Sequence, residues 1–551
     1  MTGRDDKKQG VTTSNSNNSG ETIAMRHDRF PRLPTAALAV AVMLAVAPAA
    51  AQTLTTMSNI DAPGLDGQRS TWTPTGRIAN MIGSTLVGLD FDGQTVVPYL
   101  AKSWDVSPDG KTYTFHLRDD VTFCSGKKMT ADDIVYSFTR LKAPETRAPF
   151  GWRAGEIKEL RAKGPYTVEY ELQSGFSDLL LQLTMFTNTI INKDTVEALG
   201  KDYGTKGIDG TGPWCLSSWQ PRTETVLRRH DAYKWGPANF KNRGPVKFER
   251  MVHKIIPEES SRVAAVLSGQ IDFTDAFPPN FINQAKASPN LVVDTLPATN
   301  LLLYFGFKAN RPMVADPRVR EAMSIAINRA EIARGIFLGN AEAATTYVNP
   351  AAPDYNPATM TIVREDVERA KRLLDEAGWK VGSDGIREKD GVKLAPQVYF
   401  TAAGNSVRSG EAIQGYLRRI GIDWRLNAFD STVAMLKMAE QDYELWSVTV
   451  PYISAGDLMS LYFDSRNIPT PNRMNWRDAV TDDLLAKAKG ALTGADRTKY
   501  FGELQTHVMK NHLWIPVNNM HFHTVAHKRI NNARGHPLYA IGFYKGLDFS
   551  R

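Results

Sequence analysis

The sequence predicts an α/β fold with more than one domain, and two features of the chain support this. Strand and helix patterns alternate in the second half, which is typical of a mainly parallel sheet with helices on its faces. The chain also has 551 residues, 42% of them hydrophobic. A globular chain of this length is too large for one hydrophobic core, so we expect two or three domains.

The first 51 residues predict a leader segment. Residues 1–24 lack an apolar pattern, so they predict either disorder or sequence upstream of a true start at Met25. Residues 25–51 have a basic start, a short apolar run and three alanines before Gln52. This pattern indicates a secretory signal peptide, and no cysteine follows it that would carry a lipid anchor. No later stretch is apolar enough for a membrane span, so we expect an exported, periplasmic protein.

Residues 97–141 predict a small α+β unit. The Pro-Asp-Gly sequence at residues 108–110 predicts a turn. Apolar and polar side chains then alternate over residues 111–118, which predicts a strand buried on one face. Thr130 followed three positions later by Asp133 predicts the capped start of a helix.

The alternation in the second half follows two capped helices. Asp316 before Pro317 begins the first helix, and Asp366 begins the second, which ends at Gly378. We then expect strands over residues 398–400, 422–426 and 443–448, with helices over residues 406–419 and 431–440 between them. Such sheets bind ligands at the carboxyl ends of their strands.

The two cysteines, Cys124 and Cys215, predict one disulfide, because an even count in an exported protein favours pairing. The alternative is two separate buried thiols. Two cysteines alone make a poor metal site.

Several blocks resemble family 5 of the solute-binding proteins of ABC importers, which includes dipeptide- and oligopeptide-binding proteins. They are residues 97–141, the Gly-Thr-Gly-Pro-Trp sequence at 210–214 and the helix with its Gly-x-Ile-Asp ending at 261–272. The resemblance covers nearly all of residues 52–551. It implies an α/β fold of the periplasmic-binding-protein type, a two-lobed clamp with an extra α+β subdomain in the first lobe.

The resemblance also implies lobes that are discontinuous in sequence. The chain is expected to cross between the lobes near residues 301–307 and again near 515–517, and closure is a hinge motion. The expected segments are residues 52–96, 206–303 and 514–551 for the core of lobe I, 97–205 for its extra subdomain, and 304–513 for lobe II.

A clamp of this kind needs aromatic and polar side chains in its cleft. The candidates lie at strand ends and at the crossings, and core packing is the alternative interpretation for each of them. They are Met57, Asn59, Tyr304, Phe305, Arg408, Trp446 and Tyr452.

One departure from the resemblance concerns the ligand. Peptide-binding members carry a Trp-x-x-Asp-Tyr sequence whose Asp pairs with the α-ammonium of the peptide. The corresponding stretch here, from Trp446 to Ile453, has no acidic residue. A buried ammonium without a counter-charge is costly, so ordinary peptide recognition is in doubt. Asp457 is near enough to substitute, or it begins a helix as its N-cap.

We therefore expect a monomeric receptor that captures a peptide or peptide-like small molecule and docks on an ABC permease in the cytoplasmic membrane. The alternatives are a non-peptide ligand (an opine, a sugar conjugate, or a nickel or haem complex), an exported hydrolase, and a sensory or chaperone role. We expect no catalytic residue, since the sequence has no Gly-x-Ser-x-Gly, phosphate loop or His-Glu-x-x-His.

We expect no cofactor, no metal and no nucleic acid as partner. The net charge of +7 is mild for this length, and no basic run with interleaved aromatic residues accompanies it. His521 and His523 lie on one face of a predicted strand, where an outward-facing polar surface explains them as well as a metal site does.

Overall fold

Two long strands run through the middle of the structure, a computed structural model that describes residues 53–357, 363–402, 404–447, 452–531, 533 and 535–536. The predicted leader, residues 1–51, lies outside the described residues. None of the described helices is both long enough and apolar enough to cross a membrane.

The elements are numbered in chain order. The β-strands are β1 (Thr53–Ser58), β2 (Val87–Leu89), β3 (Val96–Pro98), β4 (Ala101–Val106), β5 (Thr112–Leu117), β6 (Ile157–Ala162), β7 (Thr167–Leu172), β8 (Trp214–Gln220), β9 (Glu224–Arg229), β10 (Arg250–Ile255), β11 (Phe273–Thr274), β12 (Leu291–Phe307), β13 (Ala341–Ala343), β14 (Lys380–Val381), β15 (Arg387–Lys389), β16 (Val392–Lys393), β17 (Gln397–Thr401), β18 (Arg425–Phe429), β19 (Leu445–Ser447) and β20 (Trp514–His527). The α-helices are α1 (Thr73–Ile82), α2 (Ala131–Lys142), α3 (Leu179–Gln182), α4 (Lys193–Leu199), α5 (Glu259–Leu267), α6 (Ile282–Ala287), α7 (Pro317–Ile325), α8 (Arg329–Gly335), α9 (Val367–Glu376), α10 (Asn405–Arg418), α11 (Ser431–Ala439), α12 (Ala455–Phe463), α13 (Ala479–Lys489) and α14 (Gly494–Lys510).

The main sheet has the strand order β18-β17-β19-β12-β20-β11-β1-β10-β9-β8, and β13 also pairs with β20. Its centre is the antiparallel pair of β12 and β20, whose register runs from Leu291 opposite His527 to Gly306 opposite Trp514. The predicted crossings fall within this pair. The pair therefore joins one set of strands, β1 and β8–β11, to a second set, β17–β19.

Residues 97–205 contain a separate four-stranded sheet of order β4-β5-β7-β6. The predicted alternation is confirmed in β5, where Tyr113, Phe115 and Leu117 are buried. The predicted capping box at the start of α2 is also confirmed, because Thr130 and Asp133 satisfy each other's backbone N–H groups. The local sequence is sufficient to predict this strand and this helix start, because the alternation and the capping box each involve residues only a few positions apart.

The βαβαβ alternation is confirmed, with β17 parallel to both β18 and β19. The predicted strand over residues 422–426 is wrong in position, because β18 begins at Arg425. Ile422 and Trp424 are fully buried in the connection that precedes the strand, so their apolar signal reports core packing. The predicted strand over 443–448 is shorter, as β19 begins at Leu445, and Val448 lies outside the described residues.

A disulfide between Cys124 and Cys215 ties the chain beyond β5 to the first residues of β8, with 5.7 Å between the two Cα atoms. It therefore links the four-stranded unit to the main sheet. The nearby block at residues 210–214 packs against the end of α1, where a Cβ atom on Gly210 would lie 2.4 Å from the carbonyl oxygen of Ile82. Only glycine fits at that separation.

Candidate functional site

The carboxyl ends of the parallel strands on both sides of the central pair lead into the candidate site. A pocket of about 420 Å³ lies there. Asn59 and Asp275, which directly follow β1 and β11, line it from one side, and Asn340 and Gly404 line it from the other. Its volume is in the range of small-molecule sites. The exposed Asn59 is thus the one predicted candidate among the residues that line this pocket.

The carboxylate in this pocket already has a partner. Asp275 forms a buried ion pair with Arg77 of α1, with 2.8 Å between Oδ2 and Nη2. Burial raises the pKa of Asp275, although the guanidinium of Arg77 opposes that change. This pair is therefore a fixed part of the pocket wall.

Two histidines of β20 complete the pocket. The rings of His521 and His523 lie 6.2 Å apart, and Nδ1 of His523 is 3.0 Å from Oγ1 of Thr295. Burial lowers the pKa of His523 to about 4, so the ring is neutral near pH 7. Among the described residues, the group that brings three potential metal ligands together is elsewhere, at Cys124, Cys215 and His230. Its two sulfur atoms are joined in the disulfide and do not offer thiolates.

A buried aromatic cluster surrounds the end of β19. Tyr304 stacks on Trp514 with ring centroids 4.1 Å apart, and the ring edge of Trp446 meets it at 5.5 Å. Tyr452 belongs to the same buried cluster. The structure thus brings together three predicted candidates, Tyr304, Trp446 and Tyr452, and each is at most 3% exposed.

Two other candidates have packing roles in this structure. Phe305 follows Tyr304 in β12, and successive strand residues point to opposite faces of a sheet. Its ring packs against Phe400 and Trp424 in a different core cluster. Met57 is fully buried under α5 and α6. Neither side chain belongs to the aromatic cluster or lines the pocket.

Arg408 is exposed on the first turn of α10, where its Nη1 atom donates to Oδ1 of Asn405 at 3.2 Å. Asn405 in turn lies 3.4 Å from the amide of Asn280, which belongs to the other side of the central strand pair. Arg408 is therefore at a contact between the two sides.

The expectation that Asp457 is an N-cap is wrong. Ser454 caps α12, and its hydroxyl accepts from the backbone N–H of Asp457, which lies in the first turn. The carboxylate of Asp457 pairs with Arg153, with 2.8 Å between Oδ2 and Nη2, and both side chains are completely buried. It also accepts from the backbone N–H of Ile453 at 3.0 Å. Asp457 thus has its counter-charge within the protein.

Two arginines of this region were missed by sequence reasoning. Arg153 lies 304 positions from Asp457, so no local pattern links them. Arg473 lies in a loop rich in Pro and Asn, and that composition predicts a turn and nothing more. Its guanidinium carbon lies 5.4 Å from the ring centre of Trp446, and the side chain is 8% exposed.

Comparisons with known proteins agree with the predicted fold class. A family model described as bacterial extracellular solute-binding proteins, family 5, middle region, matches residues 95–469. The chain is 25% identical over 534 residues to di/tripeptide-binding protein 1 of Pseudomonas aeruginosa strain UCBPP-PA14, covering 92% of this chain and 96% of that protein.

Two solved structures share the fold. The protein NikZ from Campylobacter jejuni, in complex with Ni(L-His), matches with a TM-score of 0.79 and 22% identity, covering 89% of this chain and 98% of that one. The periplasmic binding protein DppA from Helicobacter pylori, in complex with the peptide STSA, matches with a TM-score of 0.78 and 23% identity, covering 91% and 98%. The α/β two-lobed clamp expected from the sequence is confirmed by these matches.

Proposed function

The chain belongs to the bacterial extracellular solute-binding proteins of family 5, and from this membership we propose that it captures a small solute in the periplasm and delivers it to an ABC permease of the cytoplasmic membrane. Members of the family are solute-binding proteins, so we propose that the solute is released unaltered. The solute class that we place first is a peptide or peptide-like molecule, in line with the di/tripeptide-binding relative.

The observation that carries this proposal is the central pair of β12 and β20. Two paired strands that join two sets of sheet strands are the connection that a hinged clamp needs. We place the core of lobe I at residues 52–96, 206–303 and 514–551, its extra subdomain at 97–205 and lobe II at 304–513.

Buried ion pairs support a closed state of this clamp. Arg153 and Asp178 belong to the proposed subdomain, and they pair with Asp457 and Arg497 of the proposed lobe II. Arg497 also pairs with Asp354 at 2.5 Å. These contacts bury charged side chains from both bodies, so we propose that they hold this closed arrangement together with or without a bound solute.

A non-peptide solute is the second candidate, and one observation favours it. The position at which peptide-binding relatives are expected to hold the ammonium carries no acidic residue, and the nearby Asp457 is paired with Arg153. An opine, a sugar conjugate, an amine-blocked peptide or a metal complex needs no such carboxylate.

Ligand-induced stabilisation tests the proposal. A solute that binds the native state adds RT ln(1 + [L]/Kd) to the free energy of unfolding, about 2.7 kcal/mol at a hundredfold excess over Kd. We expect the midpoint of thermal unfolding to rise with at least one of free peptides, N-acetylated peptides, opines, sugar conjugates and nickel–histidine. Mass spectrometry of the recovered solute should find it unchanged. A hydrolysed solute, or no shift with any class, contradicts the proposal.

A further inference from the structure

Arg473 is a buried cation whose guanidinium donates to no oxygen among the described residues. Its Nη2 atom contacts the sulfur of Met435 at 3.7 Å, and its Nε atom is buried without a hydrogen-bond partner. The face of Trp446 lies 5.4 Å from its guanidinium carbon. A sulfur contact and a cation–π contact offset part of the cost of burying a charge, but they leave the strong N–H donors unused.

The other buried arginines of the described residues show what the protein supplies when a guanidinium is structural. Seven arginines fall in the buried class, and six of them donate to protein oxygen atoms. Arg329 donates to the carbonyls of Pro516, Ile327 and Ser324, and Arg320 donates to those of Asn511, Val314 and Ala315. Arg473 is the exception, so its partner is absent from the described part of the protein.

Among the described residues, no carboxylate forms an ion pair with Arg473. Two of the side chains that feel its charge are tyrosines, Tyr443 and Tyr462, and burial raises the pKa of each to about 12. Both hydroxyls are therefore neutral near pH 7. In the same loop, Oδ1 of Asn472 and of Asn475 are buried without a hydrogen-bond partner among the described residues. Both oxygens accept hydrogen bonds, so a donor group of the solute, and not its carboxylate, would satisfy them.

We propose that Arg473 is the anchor for a carboxylate of the bound solute. The proposal rests on the proposed solute-binding function and adds the charge class of the ligand. A planar guanidinium offers two parallel N–H donors that match the two oxygens of a carboxylate, and one guanidinium balances one carboxylate charge. The solute is thus an acid that needs no free amine, because Asp457 already pairs with Arg153.

The stability of the solute-free protein tests the anchor without knowledge of the ligand. Replacing an unpartnered buried charge by an apolar side chain of similar size removes a desolvation cost. We expect Arg473→Met to raise the thermal midpoint by about 1 to 2 °C. Arg329→Met is the matched control, and it should lower the midpoint because it leaves carbonyl oxygens unpaired. A clear fall for Arg473→Met as well would overturn the proposal.

Acetate serves as the probe for the anion. Acetate is used at about 0.1 M, and sodium chloride at the same ionic strength is the reference. Because both salts screen charges equally, a difference in the thermal midpoint reports binding of acetate. We expect acetate to raise the thermal midpoint of the wild type and to leave that of Arg473→Met unchanged, while acetamide affects neither. Equal shifts in both proteins would show that acetate binds elsewhere and would contradict the anchor.

Solutes that stabilise the wild type then separate the two proposals. Each such solute is compared with the derivative in which its carboxylate is replaced by an amide. We expect the affinity of the wild type for the amide, and that of Arg473→Met for the acid, to be lower by about thirtyfold or more. The conservative variant Arg473→Lys should retain part of the affinity, since lysine keeps the positive charge but lacks the two parallel N–H donors of the guanidinium. If solutes bind equally well to wild type and Arg473→Met, the anchor fails and the solute-binding function stands. If no solute class binds the wild type, the function itself fails, and the midpoint of solute-free Arg473→Met still decides whether the cation lacks a protein partner.

Discussion

At the scale of single residues, the environment decides what each charged group does. Asp457 is close in sequence to Tyr452 of the aromatic cluster, and Arg473 is close in space to Trp446 of the same cluster. Both side chains are buried. Asp457 has an arginine partner, whereas Arg473 has no carboxylate partner among the described residues. The first is therefore part of the framework, and the second is the better candidate for the ligand.

The Arg153–Asp457 pair allows a direct test of that distinction. Asp457→Leu leaves a buried guanidinium without its carboxylate, so we expect a loss of about 3 to 5 kcal/mol in the free energy of unfolding. The double variant Arg153→Met, Asp457→Leu should recover most of this loss. Denaturant titration measures both. The exposed pair of Lys487 and Asp483 is the control, and Asp483→Ala should cost less than about 1 kcal/mol. A double variant that is as unstable as the single one contradicts the framework role.

His253 gives a pH dependence with a defined sign. Its ring lies between the hydroxyls of Thr56 and Ser58, at 2.9 and 3.1 Å, and burial lowers its pKa from 6.5 to about 3. Below pH 6.5 the unfolded chain takes up a proton that the folded protein does not. Stability is therefore fully present above pH 6.5 and is lost as the pH falls towards 3.

The expected slope is about 1.4 kcal/mol per pH unit for this histidine. Denaturant titrations between pH 6.5 and 4 should show a shallower slope for His253→Gln than for the wild type. Parallel slopes for wild type and His253→Gln would contradict the assignment.

At the scale of elements, tight contacts between segments set the positions of helices and strands. The block at residues 210–214 brings the chain against the end of α1, and the separation there admits no side chain at Gly210. Caps at Asp316 and Asp366 act within a single turn and need no such contact. Caps are therefore predictable from sequence, whereas the contact at Gly210 becomes visible in the folded chain.

Gly210→Ala tests this contact. The added methyl group would lie 2.4 Å from the carbonyl oxygen of Ile82, so the backbone must shift. We expect a loss of about 1 to 3 kcal/mol in the free energy of unfolding, as for other overpacked positions. Gly415→Ala in α10, where nothing lies within 4 Å of the new Cβ, should instead stabilise by about 0.4 to 1 kcal/mol. Chemical denaturation measures both variants, and a neutral Gly210→Ala would contradict the close contact.

At the scale of the whole molecule, two connections hold the two sets of sheet strands and the four-stranded unit together. One is the pair of β12 and β20, which belongs to the main sheet on both sides. The other is the disulfide between Cys124 and Cys215, which links the four-stranded unit of residues 97–205 to β8. The proposed subdomain and lobe II also meet through buried ion pairs such as Arg153–Asp457 and through an apolar cluster that includes Leu181, Met185 and Ile453.

The disulfide should stabilise the whole fold. It closes a loop of 91 residues, which corresponds to about 4.6 kcal/mol in the loop-entropy description. We expect a reducing agent to lower the thermal midpoint of the wild type and to leave that of the double variant Cys124→Ser, Cys215→Ser unchanged. Intact mass before and after thiol alkylation reports the redox state. Free thiols in protein exported to the periplasm would contradict the pairing.

The order and type of most elements followed from the sequence alone. Turn chemistry, caps and hydrophobic periodicity placed β5, α2, α7, α9 and the parallel βαβαβ unit, because each depends on residues within a few positions of one another. The expectation of a two-lobed clamp came from the family resemblance, which is also a property of the sequence. Errors of position arose where a buried connection such as residues 422–424 resembles a strand.

Tertiary structure decided the chemistry of the site. It assigned Phe305 to packing and Tyr304 to the aromatic cluster, brought Arg153 to Asp457 across 304 positions, and left Arg473 buried without an oxygen partner among the described residues. Burial and the pairing of charges depend on distances in space between residues that are far apart in the chain. No local pattern contains those distances, so the amino-acid sequence specified the scaffold, and the folded chain determined which charges remain available to a solute.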